Sequence, residues 1–202
     1  MCSEPLTRRR QRQGTIGVRR LRSHTSLAWL CFVLLLLAPL LQTTAGEKDN
    51  IEYKVKAAYL YNFTKFITWP EQAFDFLPET ALSICILGDD PFGHSIDLLT
   101  NKTARGREVV VVYLQQFDEQ SVCHVVFVSR SEAGRVQEIF AAIGDRPVLT
   151  VSDIEGFAMK GGCIRLHIVD GKVRFNINIQ AARRAHLQMS AKLLELARVV
   201  IE

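Results

Sequence analysis

Apolar residues recur along this chain with two periods. Over residues 51–67 (IEYKVKAAYLYNFTKFI) the period is helical: on a 100° wheel Tyr53, Ala57, Leu60, Thr64 and Ile67 fall together. Val55, Tyr59, Phe63 and Phe66 widen that arc, and Lys54, Asn62 and Lys65 lie opposite. Lys56 breaks the pattern by pointing into the apolar arc. Trp69-Pro70 ends the element, because a residue before proline avoids the helical region. The short apolar run 81–87 (ALSICIL) predicts a buried strand, residues 88–93 (GDDPFG) a loop, and residues near 94–101 a short helix. Residues 108–114 and 122–128 are Val-rich strands. Residues 131–143 form a helix, with Val136, Ile139, Phe140 and Ile143 at i, i+3, i+4 and i+7, and residues 147–151 another strand. Residues 163–169 and 172–179 alternate apolar and polar around Asp170-Gly171, a two-residue turn of type I′ composition. A last helix over about 180–200 carries Ala182, Ala185, Met189, Leu193, Leu196 and Val200 as its stripe. Arg184, Gln188, Lys192 and Glu195 make its wet face.

Strands alternating with helices predict an α/β fold. The expected architecture is a single domain over 50–202, with a mostly parallel sheet, helices on both faces, and a C-terminal antiparallel hairpin followed by a helix. One element resists this reading. The link 115–121 is short for a parallel crossover, which usually takes about a dozen residues.

The first 45 residues differ from the rest. Residues 8–22 are arginine-rich, Leu27 to Leu41 is an unbroken apolar run, and Thr43, Thr44 and Ala45 are small. Charged region, apolar region and small-residue cleavage site make a secretory signal, expected to be removed after Ala45. The run is short for a membrane span, which needs roughly 20 apolar residues. The expected location is the periplasm. The formal charge of +4 misleads, since seven arginines and one acid sit in that segment. The remainder holds 18 Lys+Arg against 20 Asp+Glu. A nucleic-acid binder needs a dense basic surface to displace counterions, so nucleic acid is not an expected partner.

No nucleophile elbow, phosphate-binding loop or paired-histidine zinc motif is written in the chain. His94, His124, His167 and His186 each stand alone, so no metal, no cofactor and no catalysis are expected. Asp89-Asp90 in a Gly/Pro loop reads first as turn chemistry. The loop nevertheless follows a strand of an α/β sheet, where ligands bind. Asp89, Asp90, Phe92 and Gly93, with the neighbouring strand ends at Ser129 and Ser152-Asp153, are therefore the candidate ligand or partner site. Beyond the signal, Cys85, Cys123 and Cys163 allow one intramolecular bond and leave one thiol over.

Four stretches carry a resemblance: KAAYLYNFTKFITWP (56–70), ILGDDPFG (86–93), VLTVSDIEGFAMKGG (148–162) and DGKVRFNINIQAARRAHLQMSAKLLELARVV (170–200). Together they resemble the YfiR family of bacterial periplasmic proteins over essentially all of residues 51–201. The resemblance implies a protein that binds and represses a membrane signalling enzyme, a diguanylate cyclase of the YfiN type, and so lowers cyclic-di-GMP output and biofilm formation. It implies as partners the periplasmic domain of an inner-membrane cyclase or kinase and an outer-membrane lipoprotein; a second copy of the chain is a further candidate. The alternative is a periplasmic small-molecule-binding sensor. The resemblance also implies a Cys85–Cys123 disulfide, which a 2-1-3 strand order would permit by making their strands neighbours. Cys163 is then left as a thiol.

Overall fold

The computed structural model describes residues 44–75 and 81–202, which belong to one compact unit, Thr44–Glu202. The expected signal, up to residue 43, lies outside the described residues. In chain order the elements are helix α1 (Thr44–Phe66), strands β1 (Ile67–Thr68) and β2 (Ala81–Leu87), helix α2 (His94–Asp97), and strands β3 (Thr103–Ala104), β4 (Arg107–Leu114) and β5 (Val125–Val128). Helix α3 (Val136–Ile143) follows, then strands β6 (Leu149–Ser152), β7 (Ile164–Val169) and β8 (Lys172–Asn178). The chain ends with helix α4 (Ile179–Arg184), strand β9 (Gln188–Met189), helix α5 (Ala191–Leu196) and strand β10 (Val199–Ile201).

Eight strands form one sheet in the order β10-β8-β7-β6-β5-β2-β4-β3, while β1 and β9 pair separately. From β4 through β7 the neighbours are parallel, and β7–β8 is the expected antiparallel hairpin. Asp170 and Gly171 both have positive φ, 50° and 71°, as a type I′ turn demands.

The central strands are buried on both faces, so their alternation feeds two cores. Leu82, Ile84, Ile86, Val125, Phe127, Leu149 and Val151 face Ala57, Leu60 and Phe63 of α1. Cys85, Leu87, Val126 and Val128 face Val136, Ile139 and Ile143 of α3 on the other side. Helices thus cover both faces, and each fully buried Leu or Phe contributes about 2 kcal/mol. Ala57, Leu60, Thr64 and Ile67 are buried as their spacing requires. Val55, expected to widen that arc, is 39% exposed, because it faces an open groove between α1 and the β7–β8 hairpin.

The single last helix expected over about 180–200 is two short helices and two strands. The break is a Schellman ending: the Leu187 N–H donates to the Ala182 carbonyl at 2.9 Å and the His186 N–H to Arg183 at 3.0 Å. His186 takes the left-handed conformation, φ 55°, and Leu187 is buried with Ala182. Gln188-Met189 then pairs with β1, and the Ser190 hydroxyl caps α5 by accepting from the Leu193 N–H. The Arg198 N–H reaches the Phe175 carbonyl and starts β10 beside β8.

The short crossover finds its explanation here too. Strand β4 lies on one side of β2 and β5 on the other, giving the local order β4-β2-β5. The connecting residues 115–124 cross β2 without a helix. They lie against its face because Cys123 is bonded to Cys85, Cα to Cα 5.9 Å, with Phe117 buried alongside. The Ser83 hydroxyl donates to the Val122 carbonyl at 2.9 Å. Arg146 adds hydrogen bonds to the Asp118 and Ser121 carbonyls and stacks on the Phe117 ring. Cys163 is a buried free thiol, and burial pushes its pKa up.

Candidate functional site

Where β2, β5 and β6 end, three segments meet the start of α1. Lys56, which broke the apolar stripe of α1, is fully buried. Its ammonium lies 2.5 Å from Asp153 Oδ2 and 2.5 Å from Glu52 Oε1, one helical turn back. Asp153 is the residue after β6 and is only 6% exposed. The same Oδ2 accepts from the Tyr53 hydroxyl at 2.9 Å and from Arg130 Nη2 at 3.1 Å. Arg130 stands just past the end of β5. Three donors therefore share one carboxylate oxygen. The other, Oδ1, is buried and has no partner.

Two acids and two bases neutralise one another in this cluster. That answers the desolvation problem of a buried charge, because each buried ion keeps a counter-ion within hydrogen-bonding range. Burial pushes the Tyr53 hydroxyl pKa well up, and the Asp153 charge pushes it further, so the phenol stays protonated as a donor. The Lys56 side chain is held between two carboxylates, away from solvent. Chemically the arrangement is a clamp that ties α1 to the C-terminal ends of the central strands β5 and β6. Among the described residues no group of three or more His, Cys, Asp or Glu is placed to hold a metal ion.

The loop expected to form the site adjoins this clamp, and its residues have different tasks. Asp90 folds its own turn: Oδ1 accepts from the Phe92 N–H at 2.8 Å and Oδ2 from the Gly93 N–H at 3.1 Å. Asp89 is exposed, and its N–H donates to the Ser131 hydroxyl at 3.0 Å. Phe92 is buried between Tyr53 and Phe127, at ring separations of 5.5 and 4.7 Å. Gly93 is exposed with φ 49°. Gly88 has φ 87°, and a Cβ there would collide with Ser131 and Glu132. The crevice between β2 and β5, where open α/β sheets commonly bind ligands, is thus filled by the chain itself. Ser152 spends its hydroxyl on the Val128 carbonyl and the Ile154 N–H, while the Ser129 hydroxyl is buried without a partner.

Residue patterns exposed part of this site. Lys56 was visible as a misplaced charge and Asp153 as a strand end. The pairing of Asp153 with Arg130 and Tyr53 has no local signature; the one signal is that Arg130 stands two residues past a Val-rich strand.

A solved structure, described as a conserved domain protein from Vibrio cholerae O1 biovar El Tor str. N16961, is similar at 14% identity with a TM-score of 0.44. The match covers 64% of this chain, and this chain spans 58% of that one. The family described as YfiR/HmsC-like matches residues 53–198, which hold the clamp from Tyr53 to Asp153, the disulfide and both cores. The chain belongs to the YfiR/HmsC-like family, which is associated with regulation of cyclic-di-GMP signalling.

Proposed function

We propose that this chain is exported to the periplasm, binds the periplasmic part of an inner-membrane diguanylate cyclase of the YfiN type, and holds that enzyme inactive. The observation that carries this reading is the family match over residues 53–198, in a family that is regulatory rather than catalytic. The surface supports action by binding. Ile51, Val55 and Ile168 are 60%, 39% and 41% exposed. They line one groove of about 370 Å3 between α1 and the β7–β8 hairpin, with Lys172 and Arg174 also on its wall. Apolar groups gathered in a groove with a charged rim mark protein contact sites more often than scattered ones do.

The test is co-purification from detergent-solubilised envelopes with the tagged protein expressed from its own locus. A diguanylate cyclase is expected in the eluate, and the Val55→Asp and Ile168→Asp variants are expected to lose it while keeping the wild-type melting temperature. A wild-type eluate without any membrane signalling enzyme refutes the reading.

A further inference from the structure

Beside the clamp, and sharing Arg130 and Asp153 with it, lies a second group of charges that includes Glu155, Lys160 and Arg165. A cleft of about 510 Å3 opens at the ends of β5 and β6, lined by Arg130, Asp153, Glu155, Lys160 and Arg165. That volume is within the range of small-molecule sites. Arg130 spends only Nη2 on Asp153, and its side chain is otherwise largely exposed. Lys160 and Arg165 take part in none of the ion pairs among the described residues. Lys160 has a fixed backbone, because its N–H donates to Gly156 and Phe157 and its carbonyl accepts from Gln137. Arg165, opposite Ser152 in the β6–β7 register, has its Nε buried with no acceptor.

We propose that this cleft binds a small oxyanion, the carboxylate or phosphate of a small molecule that carries a hydroxyl donor beside its charge. The two acids and two bases of the clamp neutralise one another, so Lys160 and Arg165 bring charge to this opening that no ion pair among the described residues matches, and the exposed part of Arg130 adds further donors. An oxyanion seated there gives Arg165 Nε the acceptor it lacks, and a desolvated donor without a partner is costly to leave so. The guanidinium groups of Arg130 and Arg165 present forked donors suited to carboxylate and phosphate oxygens. Asp153, more than nine-tenths buried, also lines this cleft, and its Oδ1, which has no partner, is the acceptor for the hydroxyl of the ligand. An oxyanion that brings no such donor leaves Asp153 Oδ1 unpaired beside a further negative charge and is disfavoured.

Inorganic phosphate and citrate both carry a hydroxyl and serve as probes; sulfate at matched ionic strength is the comparison. The purified protein is melted against increasing concentrations of each, without any protein partner, so the outcome is independent of cyclase binding. A saturable rise in melting temperature with phosphate or citrate, well above that with sulfate, is expected. The probe that responds identifies the phosphate or carboxylate class. The Lys160→Gln and Arg165→Gln variants are expected to weaken that response about tenfold each. Lys160 is exposed, so its variant should keep the ligand-free melting temperature. Arg165→Lys should restore part of the response. Equal responses to sulfate and both probes, no saturable response, or full response in the two Gln variants overturns the proposal.

Discussion

Asp153→Asn tests the clamp directly. The substitution keeps the shape of the side chain and removes its charge. Lys56, fully buried, is then left with Glu52 as its one counter-ion. Breaking a buried pair by removing one partner costs about 3–5 kcal/mol, mostly because the remaining charge is stranded away from water. Glu52 still compensates at 2.5 Å, which puts the expected loss near the lower end, about 3 kcal/mol. For a domain of this size that is a fall of about 6–12 °C in melting temperature. Lys56→Met removes the ammonium at nearly constant volume and leaves Asp153 with Tyr53 and Arg130, so it should cost less, about 1–3 kcal/mol. Equilibrium urea unfolding of the wild type, both single variants and the double variant measures the coupling. The double variant should be more stable than the sum of the singles implies by about 2 kcal/mol. A loss below about 1 kcal/mol for Asp153→Asn, or simple additivity in the double variant, refutes the clamp.

Three further outcomes follow from the fold. His124 is buried, stacked on Phe74 at 4.3 Å and accepting the Ser83 N–H at Nδ1 at 3.0 Å; burial first, and the Arg107 charge after it, lower its pKa to about 4. The unfolded chain takes up that proton near pH 6.5 and the folded chain does not, so stability is complete above about 6.5, falls as the pH drops towards 4 and levels off below; about 3 kcal/mol is at stake, and the dependence should shrink in His124→Gln. Reduction of Cys85–Cys123, which closes a separation of 38 residues, should remove about 4 kcal/mol in the chain-entropy account; alkylation of the unfolded, unreduced protein should label Cys163 alone, and label on both Cys85 and Cys123 contradicts this. N-terminal sequencing of the protein recovered from a periplasmic extract should begin at Gly46, whereas an intact N-terminus in the membrane fraction excludes cleavage after Ala45.

The elements legible in the sequence were those set by local period. The stripe of α1, the apolar runs of β2 and β6 and the Asp170-Gly171 turn each declare themselves within a few residues. Relations between distant segments were not legible. Lys56 announced a buried charge, but Asp153 stands 97 positions away and nothing local ties the two. The last helix misled because Ala182, Ala185, Met189 and Leu193 continue a helical spacing through the His186 break. That break rests on two backbone hydrogen bonds and one left-handed residue that is not glycine. The crossover from β4 to β5 is too short for a crossover helix, and the disulfide and Phe117 instead hold a helix-free segment across β2. In the loop, turn chemistry accounts for Asp90, while the burial of Phe92 depends on Tyr53 and Phe127 from elsewhere in the chain.

The central claim is that this protein restrains a membrane diguanylate cyclase by binding it. The most direct measurement is cellular cyclic-di-GMP in a strain lacking the gene, with the cyclase shown to be expressed, and in the same strain complemented by the wild type or by Val55→Asp. Cyclic-di-GMP should rise on deletion, return to the parental level with the wild-type gene, and stay raised with Val55→Asp. Unchanged cyclic-di-GMP in the deletion strain would contradict the account.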